Sequence, residues 1–166
     1  MDEATTLGPL STEAALVQLL DQVNRAVANG ATLVLGGKRI DRPGSFMQPT
    51  ILTNIKPGNP AFREEFFGPV ALFFRVKNED EAVALANDSD FGLGGSVFTK
   101  DAARGKRLAS RIETGMVFIN HPTWTASDLP FGGIKNSGYG RELSSLGIQE
   151  FVNKKLVRVT SIDSPA

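Results

Sequence analysis

Apolar residues at positions 15, 16, 19, 20, 23, 26 and 27 recur at the spacing of one helix face. That period predicts an amphipathic helix over residues 12–29. Ser11 or Thr12 can cap its start, and Gly30 suits its C-terminal stop. Residues 32–35 then read as a short buried strand closed by Gly36 and Gly37. Residues 46–54 read as a strand that Pro49 confines to a sheet edge, and residues 70–76 as a strand rich in Val, Leu and Phe. Asn78 with Glu81 has the spacing of a capping box, and Ala82, Val83, Leu85 and Ala86 form the inner face of the helix that follows. Further along, the pattern predicts a strand at 96–99, a helix at 101–112, a strand at 116–120, a short helix at 142–147 and a last strand at 150–160. Residues 161–166 read as a frayed tail.

Strands alternating with helices imply an α/β fold in three layers, with a largely parallel sheet. Residues 121–137 break the pattern. They lack periodicity and hold two prolines and, counting Gly138, three glycines. They read as one long loop, and long ordered loops tend to be functional.

Composition narrows the function classes. The chain has 166 residues, which suits one ordinary domain, and 41% of them are apolar. Lysine plus arginine equals aspartate plus glutamate, at 18 each, which argues against nucleic acid as a partner. No stretch approaches the ~18 apolar residues that cross a bilayer, and the acidic start Met1-Asp2-Glu3 is unlike a signal peptide, so a cytoplasmic setting is expected. The sequence has no cysteine and a single histidine, His121, so disulfides, thiolate metal sites and cysteine nucleophiles are excluded and no metal site is expected.

Two segments carry candidate chemistry. Glu64-Glu65-Phe66-Phe67-Gly68-Pro69 places two carboxylates beside aromatic rings just before a strand. Such a pair can hold sugar hydroxyls and a flat ring, or can be a solvated turn. Residues 130–142 hold four glycines within nine positions, from Gly132 to Gly140. Gly138 and Gly140 superficially suggest a phosphate loop, but neither a third glycine nor a preceding strand accompanies them, so a rigid scaffold loop is the plainer reading. His121 stands at the loop entrance, as a packed residue or as a base. Ser137 has no nucleophile elbow, so serine hydrolysis is not supported.

Taken together, these segments resemble the aldehyde dehydrogenase superfamily. Leu7-Gly8-Pro9-Leu10, Gln48-Pro49-Thr50, Glu64 to Pro69, Phe91-Gly92-Leu93 with Val97-Phe98-Thr99, Gly115 to Asn120 and Pro130 to Glu142 occur in the family's order. The resemblance runs from about Leu7 to Val159. It implies that Glu65 holds the ribose of the nicotinamide half of NAD or NADP, that Phe67 packs near the nicotinamide, and that Phe131 lines the aldehyde pocket. It makes residues 120–128, with Asn120 and His121, the variable substrate loop. The stretch from Phe118 to Thr123, and that from Ser137 to Leu143, resemble the succinate-semialdehyde dehydrogenase branch, in which a loop hydroxyl helps hold the substrate carboxylate; Thr125 is the candidate here. The resemblance divides the chain into a partial catalytic domain, 1–148, and an oligomerisation arm with its tail, 149–166, whose strand joins a neighbouring subunit's sheet.

Aldehyde oxidation in this family needs a thiolate that adds to the carbonyl, an oxyanion hole, a glutamate base and a nicotinamide that accepts a hydride. In the family the cysteine, the base and the Rossmann domain lie N-terminal to the region matched here. The resemblance therefore implies a C-terminal fragment with no activity alone and weak cofactor binding. It leaves the choice between NAD and NADP open. The alternative expectation is a non-catalytic self-association module.

Overall fold

A computed structural model describes residues 3–163. The described part of the predicted tail is 161–163, and 164–166 lie outside it. The chain divides into two compact units, 1–77 and 78–166.

The first unit is built on helix α1 (Glu13–Ala28). The Thr12 hydroxyl accepts from the Ala15 amide at 3.1 Å and starts the helix as predicted. Gly30, with φ +96°, ends it, because its amide reaches Val27 O while the Ala31 amide reaches Ala26 O. Those two bonds complete a Schellman stop. Strands β1 (Thr32–Leu35), β2 (Thr50–Thr53) and β3 (Val70–Leu72) form a sheet in the order β1-β2-β3. β1 pairs antiparallel to β2, and β2 pairs parallel to β3. Two expectations fail here. β1 is exposed at every position rather than buried, because it has a partner on one side only. β2 is the central strand rather than an edge, because Pro49 falls just before the ladder begins at Thr50 and removes no ladder donor. Leu16, Leu19, Val23 and Ala26 of α1 pack with Met47, Leu52, Ile55 and Ala61 in two apolar clusters, and Phe66 and Val70 touch both.

In the second unit, the Asn78 side chain accepts from the Glu81 amide at 2.9 Å and begins α2 (Glu79–Asn87). Strands β4 (Phe91–Gly92) and β5 (Gly94–Val97) follow. Asp101 caps α3 (Ala102–Ala109), and β6 (Met116–Ile119) comes next. β5 pairs parallel to β6, and α3 lies in the connection between them. Gly105 lets α3 close on β6, since a Cβ there would meet Ile119 Cγ2 at 2.9 Å. Ion pairs Glu79–Arg104 and Asp80–Arg111 tie α2 to α3 and its C-terminal end.

The expected largely parallel sheet is thus not a single sheet. Among the described residues, two of the four strand pairs are antiparallel. The connections explain the split. β2 to β3 and β5 to β6 each cross over through helical turn and pair parallel, whereas β1 reaches β2 through a loop and pairs antiparallel. The predicted last strand is also absent among the described residues. Residues 148–151 are a 3-10 helix that continues the short α4 (Ser144–Gly147), and 152–160 lie outside helix and strand and are exposed. A strand exists only in a ladder, and among the described residues no strand pairs with that segment. Among the described residues, no helix is long and apolar enough to cross a membrane.

Candidate functional site

In the first unit exposure alternates along Glu64–Phe67. Glu64 and Phe66 turn inward, and Glu65 and Phe67 face out. Arg25 grips both Glu64 carboxylate oxygens, at 2.6 and 3.0 Å, and that fork holds the carboxyl below its ordinary titration range. The Gln22 amide donates to Glu64 Oε2 at 3.3 Å and to the Glu65 carbonyl at 3.1 Å. Phe66 packs into the core. The outward pair is left available. The Phe67 ring is 83% exposed, and the Glu65 carboxylate makes no hydrogen bond or ion pair among the described residues. Both border a surface cavity of about 610 Å³ whose other walls include Leu10, Leu19 and Gln22. An unengaged carboxylate beside a bare aromatic face offers acceptors for vicinal hydroxyls and a surface for a flat ring.

In the second unit, the end of β6 leads into the long loop through Asn120, whose φ is +56°. Its side chain is already engaged. Oδ1 accepts from the Thr99 amide at 2.7 Å, and Nδ2 donates to the Thr99 carbonyl at 2.8 Å. His121 Nδ1 donates to the Pro122 carbonyl at 2.7 Å, and its ring lies edge-on to Trp124 with centroids 6.0 Å apart. Thr125 is exposed on the loop beyond.

Within that loop lies a two-residue strand the periodicity did not reveal, β7 (Ile134–Lys135), antiparallel to β4. The glycine-rich segment around it is a scaffold. The Phe131 and Glu142 amides and carbonyls exchange bonds of 2.9 and 2.7 Å, closing residues 131–142 into a loop. Inside it, Arg141 donates to the Gly133 and Gly140 carbonyls, and Ser137 Oγ accepts from the Gly92 amide at 3.1 Å. Lys135 reaches the Asn87 and Ser89 carbonyls and pairs with Glu113. A Cβ on Gly115 would sit 1.9 Å from the Gly132 carbonyl oxygen, so the start of β6 can lie against this loop only without a side chain. The half-buried Phe131 borders a cavity of about 270 Å³ with Leu93, Tyr139 and Phe151.

Residues 1–157 match the sequence model described as the aldehyde dehydrogenase family. The chain belongs to the aldehyde dehydrogenase family. It is 59% identical over 157 residues to an NADP(+) succinate-semialdehyde dehydrogenase of Deinococcus radiodurans, covering 95% of this chain and 33% of that protein. It is 50% identical over 153 residues to a probable NADP(+) succinate-semialdehyde dehydrogenase of Synechocystis, covering 92% of this chain and 34% of that protein. Among solved structures it is similar to the succinic semialdehyde dehydrogenase of Streptococcus pyogenes in complex with NADP+, with a TM-score of 0.93 and 48% identity over 97% of this chain and 35% of that one. The chain therefore spans about a third of the length of the curated relatives it matches.

For this member of the aldehyde dehydrogenase family, the structure places Glu65 and Phe67 side by side in the first unit, and Asn120, His121, Thr125 and Phe131 in the second. Asn120 and His121 open the loop, and Phe131 stands at its closure with Glu142. Sequence reasoning overlooked Gln22, Arg25 and Asn59. Gln22 carried a signal, being a polar residue between Leu19 and Val23 on an otherwise apolar helix face. Asn59 carried one too, as an Asn-Pro step that marks a turn. The Asn59 side chain caps the 3-10 helix Pro60–Phe62 through the Ala61 amide and donates to the Ala26 and Asn29 carbonyls of α1.

Proposed function

We propose that this chain is the C-terminal portion of an NAD(P)-dependent aldehyde dehydrogenase that oxidises a small aldehyde, with succinate semialdehyde as the favoured substrate and the cytoplasm as its setting. Residues 1–148 belong to the catalytic domain and 149–166 to an oligomerisation arm, both parts of a larger three-layer assembly with a largely parallel sheet. The observation that carries this reading is the outward pairing of Glu65 and Phe67 on a segment whose alternate side chains are anchored.

The residues present fit the cofactor. The Glu65 carboxylate can accept from both hydroxyls of the nicotinamide ribose, and the Phe67 ring offers an apolar face to the nicotinamide. The cofactor, when bound, supplies the hydride acceptor. Phe131 excludes water from the aldehyde side, and the Thr125 hydroxyl donates to the substrate carboxylate. Asn120 acts through the Thr99 backbone to fix where the loop begins, and His121 braces its first turn. The sequence has no cysteine, so the thiolate that attacks the carbonyl is not among these residues. The NADP(+) named for the relatives favours NADP over NAD.

The chain alone should therefore form no NADPH from succinate semialdehyde. Grafted in place of the matching third of the Deinococcus radiodurans protein, it should give an active enzyme in which Glu65→Ala raises the KM for NADP(+). An unchanged KM would overturn the Glu65 assignment. In the same graft, Thr125→Val should weaken succinate semialdehyde more than an uncharged aldehyde, and equal effects would count against a carboxylate contact.

One observation favours a second reading, a self-association module. Leu156, Val159 and Ile162 are 91%, 89% and 98% exposed, so the C-terminal segment presents apolar side chains to solvent. Light scattering after size exclusion should then show oligomers that disappear when residues from 152 onward are deleted. A monomer that binds NADP(+) would refute this reading.

A further inference from the structure

We infer that Arg25 and Gln22 of α1 are positioning residues that set the direction in which Glu65 and Phe67 face, acting through the Glu64 carboxylate and the Glu65 carbonyl. The inference rests on the reading of Glu65 and Phe67 as cofactor contacts and adds the device that aims them.

The need for such a device follows from the segment itself. Nothing among the described residues bonds to the Glu65 side chain, and the Phe67 ring is almost bare. Their direction is therefore decided by their inward neighbours. Phe66 provides one anchor, but an apolar ring in a core resists withdrawal more than rotation about the segment's own axis. Glu64 provides the second anchor, and this one is directional. A planar guanidinium that meets a carboxylate along two parallel bonds fixes the plane as well as the position. The guanidinium is itself held from behind, where Arg25 Nε donates to Asp21 at 2.8 Å. Gln22 completes the clamp by binding backbone as well as side chain, because its amide nitrogen reaches both Glu64 and the carbonyl of Glu65. Gln22 is only 8% exposed and sits within the apolar face of α1. A polar side chain there is costly unless it is bonded, and these are the bonds its amide nitrogen makes. Residues 21, 22 and 25 share one turn of the helix, so a rigid element of 16 residues grips the loop at two successive positions.

The test uses the isotope-labelled chain and nicotinamide mononucleotide at millimolar concentration as the probe. In the wild type, backbone order parameters at 64–67 should match those of α1, near ~0.85. Arg25→Met and Gln22→Leu should each lower them toward about 0.6 at 64–67 alone, with α1 unaltered. Arg25→Lys keeps the charge but loses the fork, so it should restore order only in part. The nucleotide should shift the Glu65, Phe67 and Gly68 amides in the wild type, should fail to do so in Glu65→Ala, and should bind at least about threefold more weakly to the Arg25 and Gln22 variants, a loss of ~0.7 kcal/mol. Unchanged order in both variants overturns the positioning role. So does lowered order with unchanged affinity. A wild-type chain whose amides do not shift, or a Glu65→Ala chain that binds normally, overturns the cofactor reading beneath it, while the order parameters still decide whether the clamp exists. Should Arg25→Met unfold the unit, Gln22→Leu and Arg25→Lys carry the same decision.

Discussion

Asn59 is 6% exposed and joins two parts of the first unit, so replacing it tests how much a single buried amide contributes. Its Oδ1 accepts from the Ala61 amide at 3.0 Å, and its Nδ2 donates to Ala26 O at 2.8 Å and to Asn29 O at 3.1 Å. In Asn59→Ala these bonds do not cost equally. Ala26 O keeps the Ala31 amide as a partner and Asn29 lies at the surface, so water replaces much of the loss there. Ala61 is 1% exposed, and its N–H would be stranded. One lost bond at about 1 kcal/mol and one buried unpaired donor at about 1–3 kcal/mol sum to about 2–4 kcal/mol. At ~1.4 kcal/mol per tenfold, hydrogen exchange of the α1 amides should quicken roughly 30-fold to nearly 1000-fold. Asn59→Asp separates the two halves of the argument. It keeps the acceptor for Ala61 but points a second oxygen at two carbonyls at the negative end of α1. Protonation turns that oxygen into a donor, so the folded carboxyl titrates above its unfolded value of about 3.9. A raised folded value means stability present below the unfolded pKa and lost as pH rises through the folded one. The Asp variant should therefore approach the wild type at acid pH and fall furthest behind at neutral pH. Exchange-detected mass spectrometry of peptides from α1 reads both variants. Less than a threefold change in Asn59→Ala, or a pH-independent deficit in Asn59→Asp, would refute the reasoning.

Other consequences follow from the packing and the charge. Glu64, held below its ordinary 4.5 chiefly by the Arg25 hydrogen bond, contributes stability above that pH and loses it as pH falls through the lowered value. Asp21, the nearby carboxylate, opposes this shift. Protection of the 64–67 amides, measured against their intrinsic exchange rates, should accordingly fall only well into acid, and Glu64→Gln should remove that pH dependence. Gly115→Ala drives a methyl against the Gly132 carbonyl and should cost about 1–3 kcal/mol or more, seen as a lower urea midpoint for the second unit and faster exchange in 131–142. Leu16, fully buried in the α1 cluster, should cost about 2–5 kcal/mol on truncation to Ala, measured by the same denaturation of the first unit.

By itself, the sequence determined what depends on neighbours within a few residues. The Thr12 cap and the Gly30 stop of α1, the Asn78 cap of α2 and the order of the family's segments were all legible, because each is decided by three to five adjacent positions. The pair Glu65 and Phe67 was legible as a motif, as was the scaffold character of residues 130–142. Only the tertiary structure decided which polar groups are engaged and which are offered. Glu64 and Glu65 are the same residue type side by side, and what distinguishes them is Arg25, some forty positions away. Asn120 looked available until Thr99, 21 positions back, took both ends of its amide. β1 looked buried because its residues are apolar, yet it is an edge, and β2 became central because β3 arrives on its far side. Hydrophobic period records which face a segment would bury. It does not record the partner, and hydrogen bonds and ladders exist only with one. The C-terminal segment shows this most plainly. Its alternation suits a strand, but among the described residues 152–160 have no ladder.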